Sequence, residues 1–133
     1  MPKPAALLLS ALLLTLPQTA LADDPPLSAE AFEAIVQGKT MDTYTQSGRY
    51  GIETFLPGRR AIWRDEGQCL EGTWRAQGDQ ICFDYQGVDV PFCWTYHDRG
   101  GWLMGWLNGD RGSEPIMLYP STDFVTCEGF LGA

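Results

Sequence analysis

From Thr40 onward the chain runs in short stretches where apolar and polar residues alternate. Turn residues separate them: Ser47-Gly48, Pro57-Gly58, Glu66-Gly67, Gly78-Asp79, Gly87, Gly100-Gly101, Asn108-Gly109 and Gly112. A period of two marks a strand with one face toward a core, and turn signals every ~8 to 12 residues mark an antiparallel meander. The pattern predicts seven or eight strands, near 40–45, 49–56, 60–65, 69–75, 80–85, 91–97, 102–108 and 114–119. Ahead of them, "LSAEAFEAIVQGK" sets Phe32, Ile35 and Val36 on one stripe, with Ser28 as N-cap and Gly38 as stop, so one short amphipathic helix precedes the sheet. The expected fold class is mainly β: a small barrel or half-barrel of seven to eight strands with one N-terminal helix, a single domain over 23–133.

Two stretches break the alternation. In "WLMGWL", Trp102, Met104 and Trp106 share one face while Leu103 and Leu107 share the other, and in "PIMLY" Met117 and Tyr119 oppose Ile116 and Leu118. A strand apolar on both faces needs cover on both. Either the helix lies across these strands, or Trp102, Met104, Trp106, Met117 and Tyr119 line a pocket or docking patch, since such residues are favoured where partners bind.

The four cysteines, Cys69, Cys82, Cys93 and Cys127, contain no C-x-x-C, and the only histidine is His97. Neither a zinc site nor a redox pair is spaced this way, so disulfides are the expectation and no metal or other cofactor is. Alternation puts Cys69, Cys82 and Cys93 on the polar face. A hairpin turning at "QGVDV" brings Cys82 and Cys93 side by side, while the hairpin turning at "QGDQ" sets Cys82 opposite Thr73. By elimination Cys69 pairs with Cys127.

The N-terminus adds a compartment. Lys3, the apolar run "AALLLSALLLTL" and the Ala-x-Ala exit at Ala20 and Ala22 form a signal peptide over 1–22, too short to span a bilayer. The chain is expected to be periplasmic or secreted, with no membrane span. Its formal net charge is −8, one unit more acidic without Lys3, which argues against nucleic acid as a partner.

Candidate chemistry is sparse. His97 sits at a strand end beside Asp98 and Arg99, no G-x-S-x-G occurs, and a solvated turn position is expected. Asp65, Glu66, Glu71 and Asp84 could supply the two carboxyls of a glycosidase, which need a groove and one raised pKa; surface charge is the simpler account. Arg59, Arg60 and Arg64 cluster around one hairpin, as internal ion pairs or an anion-binding rim. No catalytic residue is assigned and an enzyme is not expected.

Gly72 and Trp74 (G-x-W), Cys82-Phe83 and Cys93-Trp94, following the helix and "GKT" at 38–40, form a pattern that resembles a group of small exported bacterial domains of unknown function. It is more distantly similar to lipocalin-type small barrels, although their G-x-W lies on the first strand and here it falls near the fourth. The resemblance implies an antiparallel barrel and no activity. The function expected is a non-catalytic exported binding or accessory module, engaging a protein partner or small apolar ligand through Trp102 to Tyr119. An inhibitor of an exported hydrolase, presenting "LPGRR" or "NGDRGSE", is the alternative, and a carboxylate-dependent hydrolase a further one.

Overall fold

The computed structural model describes residues 1–5 and 23–130. Most of the expected leader, 6–22, and the last three residues lie outside the described part. Helix α1 spans Ala29–Val36; the Ser28 hydroxyl accepts from the Ala31 N–H at 3.1 Å, and Gly38, at φ 75°, turns the chain out of the helix. Eight strands follow: β1 (Thr40–Thr45), β2 (Gly48–Leu56), β3 (Arg60–Arg64), β4 (Cys69–Gln77), β5 (Gln80–Tyr85), β6 (Phe92–Asp98), β7 (Leu103–Leu107) and β8 (Ile116–Ser121). Each pairs antiparallel with the next and β8 pairs with β1, so the sheet is a closed eight-stranded barrel. Closure leaves no free strand edge.

The alternation read from the sequence becomes inside and outside. Met41, Phe55, Ala61, Trp74, Ile81 and Phe83 point inward, with Tyr96, Leu103 and Leu118 facing them across the interior. The helix does not lie across the outer faces of β7 and β8; it closes one end of the barrel. Phe32 is fully buried there, its ring centroid 4.6 Å from Tyr96, 5.2 Å from Trp74 and 5.7 Å from Phe55. The reason is complementarity: the apolar stripe of Phe32 and Val36 meets a ring of inward aromatics wider than strand side chains alone would fill.

Both disulfides connect as read. Cys82 and Cys93 are register partners across β5 and β6, and Cys69 joins Cys127. The second bridge pins the C-terminal tail over an outer cluster of Ile52, Ile62 and Val125, where the Val125 N–H donates to the Thr54 hydroxyl at 3.1 Å. Each bridge is worth ~2 to 4 kcal/mol through the unfolded chain. One register differs: Cys82 faces Arg75, not Thr73, because β4 runs on to Gln77 and the hairpin turns tightly at Gly78, φ 60°. A shift of two residues leaves every side chain on its expected face.

Candidate functional site

The end of the barrel away from α1 is open. Three inward glycines make room there for aromatic rings that a Cβ would displace. A Cβ on Gly51 would stand 2.3 Å from the Trp63 ring, one on Gly72 would stand 2.9 Å from the Tyr85 ring, and one on Gly105 would stand 3.0 Å from the Tyr96 ring. A bulge in β2 adds to this: Thr43 pairs with Gly51 but Tyr44 with Arg49, so Tyr50 is the extra residue and turns to the rim beside Trp63, ring centroids 5.5 Å apart.

Together these rings enclose a cavity of about 290 Å³, at the lower end of the roughly 300–1,000 Å³ usual for ligand sites. Phe83, Tyr96 and Leu118 form its buried floor, Trp63, Leu70 and Trp94 its wall, and the exposed Tyr50, Phe92 and Leu107 its mouth. Polar lining comes from Thr43, Thr45, Gln68, the tyrosine hydroxyls and one ionisable acid, Glu53.

Glu53 sits between Gly51 and Phe55 on the inward face of β2 and is only 5% exposed. The Tyr85 hydroxyl donates to its Oε1, and among the described residues no other side chain donates to it. Burial pushes the carboxyl up to about 7, against the downward pull of the Tyr85 hydrogen bond. Burial, then the neighbouring Glu53 charge, lifts Tyr85 and Tyr96 well above the ordinary phenol value. The cavity thus holds one carboxyl near the midpoint of its titration at neutral pH, and no basic side chain lines it.

The residues singled out from sequence lie elsewhere, on the outer wall. Met104 pairs with Met117, Tyr44 also pairs with Met117, and Tyr119 stacks on Trp102 at 5.4 Å and meets Tyr44 edge-on at 5.7 Å. Tyr119 is 38% exposed, so Trp102, Met104, Met117 and Tyr119 form one half-buried strip. Trp106 is separate from it: only 8% exposed, it lies under the Arg111 guanidinium, 4.1 Å from the ring centroid.

His97 is not a solvated turn residue; it is 2% exposed. The loop after β7 folds back over the outer wall, and Arg111 and Arg99 both hold Asp24, at 3.0 and 2.7 Å. Asp24 closes over His97 with Oδ1 3.3 Å from Nδ1, while Nε2 has no partner among the described residues. Burial first, then the Arg111 charge, lowers the imidazole pKa against the pull of Asp24, which favours the neutral ring. Arg99, then Arg111, keeps the Asp24 carboxyl well below the usual carboxylate range.

Several other charged groups are tied into the scaffold, while Glu66 and Glu71 stay on the exposed surface. Arg59 pairs with Glu33 at 2.6 Å and lies over Trp74, Arg64 covers Phe130, and Arg75 pairs with Asp84 at 3.1 Å. Asp65 is half-buried, which alone would raise its pKa, but donors from Trp63, Gly67 and Gln68 outweigh this and lower it. Among the described residues no group of three His, Cys, Asp or Glu could hold a metal ion, and no helix is long and apolar enough to cross a membrane.

Glu53, Tyr85 and Tyr96 escaped the sequence reading. The signal was present: Glu53 shares its face with Phe55, and glycines stand mid-strand at Gly51, Gly72 and Gly105. No family model matches the chain, and neither a curated protein nor a solved structure matches it.

Proposed function

We propose that the chain is an exported, non-catalytic binding protein that takes up a small, mainly apolar ligand in the open end of its barrel. The observation that carries this reading is the cavity itself, about 290 Å³ of ring-lined space with exposed apolar residues at its mouth. Apolar contacts supply affinity in such a site and a few placed polar groups supply orientation. The signal-like N-terminus and two disulfides support an exported setting, and a closed barrel with one plugged end fits the lipocalin-type resemblance of the sequence.

The test is a fluorescence titration with N-phenyl-1-naphthylamine, a neutral apolar probe that brightens when it leaves water. Saturable brightening is expected for the wild type and its loss for Leu107→Trp, which narrows the mouth at a half-exposed position. No saturable signal, or a signal that Leu107→Trp leaves unchanged in a folded protein, contradicts the reading.

A second reading is favoured by the strip of Tyr44, Trp102 and Tyr119, in which Trp102 stacks on Tyr119 and Tyr44 meets it edge-on, with Tyr119 exposed. A protein partner would dock there, on the outer wall, without using the cavity.

A further inference from the structure

We propose that the ligand is an organic ammonium ion with an apolar or aromatic body, its cationic head held by the Glu53 carboxylate inside the ring of aromatic side chains. This rests on reading the cavity as a ligand site and adds the class of ligand to it.

Three observations carry the assignment. The first is charge: among the described lining residues Glu53 is the one ionisable acid and no Lys, Arg or His accompanies it. An anionic ligand would meet a buried carboxyl with nothing to neutralise it, whereas a cation would supply the missing partner. The second is valence. Tyr85 donates to Oε1 and no other side chain among the described residues donates to the carboxyl, although it is 5% exposed. An ionised carboxylate offers about four acceptor sites, so most of its capacity is left for a donor entering from the cavity.

The third observation is the surroundings. Trp63, Phe83, Tyr85, Trp94 and Tyr96 line the same space. Ring faces attract cations, most strongly where water is excluded, and an ammonium bound there would be met by rings as well as by the carboxylate. The formal net charge of −8 adds a long-range attraction for cations.

Ligand entry and proton exit are then linked. Below neutral pH Glu53 is held as the acid by its burial, so binding releases the carboxyl proton to solvent as the ammonium takes its place. The ionised share of a group titrating at about 7 rises roughly tenfold between pH 6 and pH 8, and the affinity for a permanent cation rises with it.

The experiment uses three probes of one shape, tryptamine, indole-3-ethanol and indole-3-acetate, titrated calorimetrically into the full mature chain at pH 6 and pH 8. Tryptamine is expected to bind about tenfold more tightly at pH 8, with a heat near pH 7 that depends on the buffer's ionisation enthalpy. The alcohol should bind more weakly without pH dependence, and the acid not at all. Glu53→Gln, which keeps shape and hydrogen bonding, should cost tryptamine at least tenfold at pH 8 and abolish the proton release. A merely structural Glu53 would leave both unchanged in that variant.

Equal affinity for amine and alcohol, preference for the acid, or pH dependence that survives Glu53→Gln overturns the assignment while leaving the cavity reading standing. No binding of any of the three also overturns it. The N-phenyl-1-naphthylamine titration then decides separately whether the cavity reading falls too.

Discussion

Glu53 ties stability to pH in a direction opposite to most carboxylates, and Glu53→Gln isolates the effect. Its carboxyl titrates at about 7 in the folded chain against an ordinary 4.5 in the unfolded one. The folded state therefore binds more protons between those values, so the stabilisation is complete below 4.5 and is lost as pH rises through 7. At about 1.4 kcal/mol per pKa unit the full loss is about 3 kcal/mol, most of which falls between pH 5 and pH 8.5. That is a large fraction of the ~5 to 15 kcal/mol typical of a domain. Urea unfolding of both proteins across this window, disulfides intact, gives the difference curve directly.

The difference matters because another group titrates in the same range with the opposite sign. His97, lowered from its ordinary 6.5 by burial, makes the protein gain stability as pH rises toward 6.5. It is present in both proteins and cancels in the subtraction. Asp24 and Asp65, whose carboxyls are held low, act only in the acid range below the usual carboxylate value. Wild type should lose most of that ~3 kcal/mol relative to Glu53→Gln on going from pH 5 to pH 8.5. Parallel curves would refute the burial argument, since an accessible carboxyl contributes no slope there.

Two further expectations follow from packing. Gly72→Ala places a methyl 2.3 Å from the Asp84 carbonyl oxygen and 2.9 Å from the Tyr85 Cα, both backbone atoms of a paired strand that cannot retreat. The cost should reach the upper end of the ~1 to 3 kcal/mol usual for overpacking, lowering Tm by about 15 °C. Gly67→Ala, whose nearest neighbour is a side-chain oxygen at 3.7 Å, should shift Tm by no more than a few degrees; equal effects of the two would contradict the glycine account. On the outer wall, Trp102→Ala should leave probe binding in the cavity intact and abolish any pull-down of an exported partner; a partner retained at wild-type level removes the docking reading.

The course of the chain was legible because each local signal agreed with its neighbours. Ser28 and Gly38 bracket the helix, the turn glycines bracket the strands, and the even spacing of Phe92, Trp94 and Tyr96 against Cys93 fixed which residues face inward. Cys82 and Cys93 could be paired because one short hairpin sets their separation. What stayed hidden depends on closure and on distant cover. A glutamate between Gly51 and Phe55 reads as an ordinary surface acid until the barrel closes around its face.

His97 and Trp106 were unreadable for a related reason. Alternation sets both on the outer face, and their cover comes from outside the strand: Asp24, far away in sequence, closes over His97, and Arg111, from the loop after β7, lies over Trp106. The helix position was likewise undetermined, since an apolar stripe such as Phe32 and Val36 specifies that something is covered but not what. Aromatic residues drew attention to β7 and β8, yet the carboxyl and the aromatic walls of the site come from other strands, with Glu53 on β2, Trp63 on β3, Tyr85 on β5 and Trp94 on β6, while β7 and β8 add only the aliphatic Leu107, Ile116 and Leu118.

The central claim is that ligand enters the barrel rather than resting on its wall. Mapping amide and side-chain NMR shifts during a titration with N-phenyl-1-naphthylamine tests it most directly. The account predicts changes centred on Phe83, Trp94 and Leu118, with Trp102, Met117 and Tyr119 unmoved. Changes confined to Trp102, Met117 and Tyr119 would contradict it.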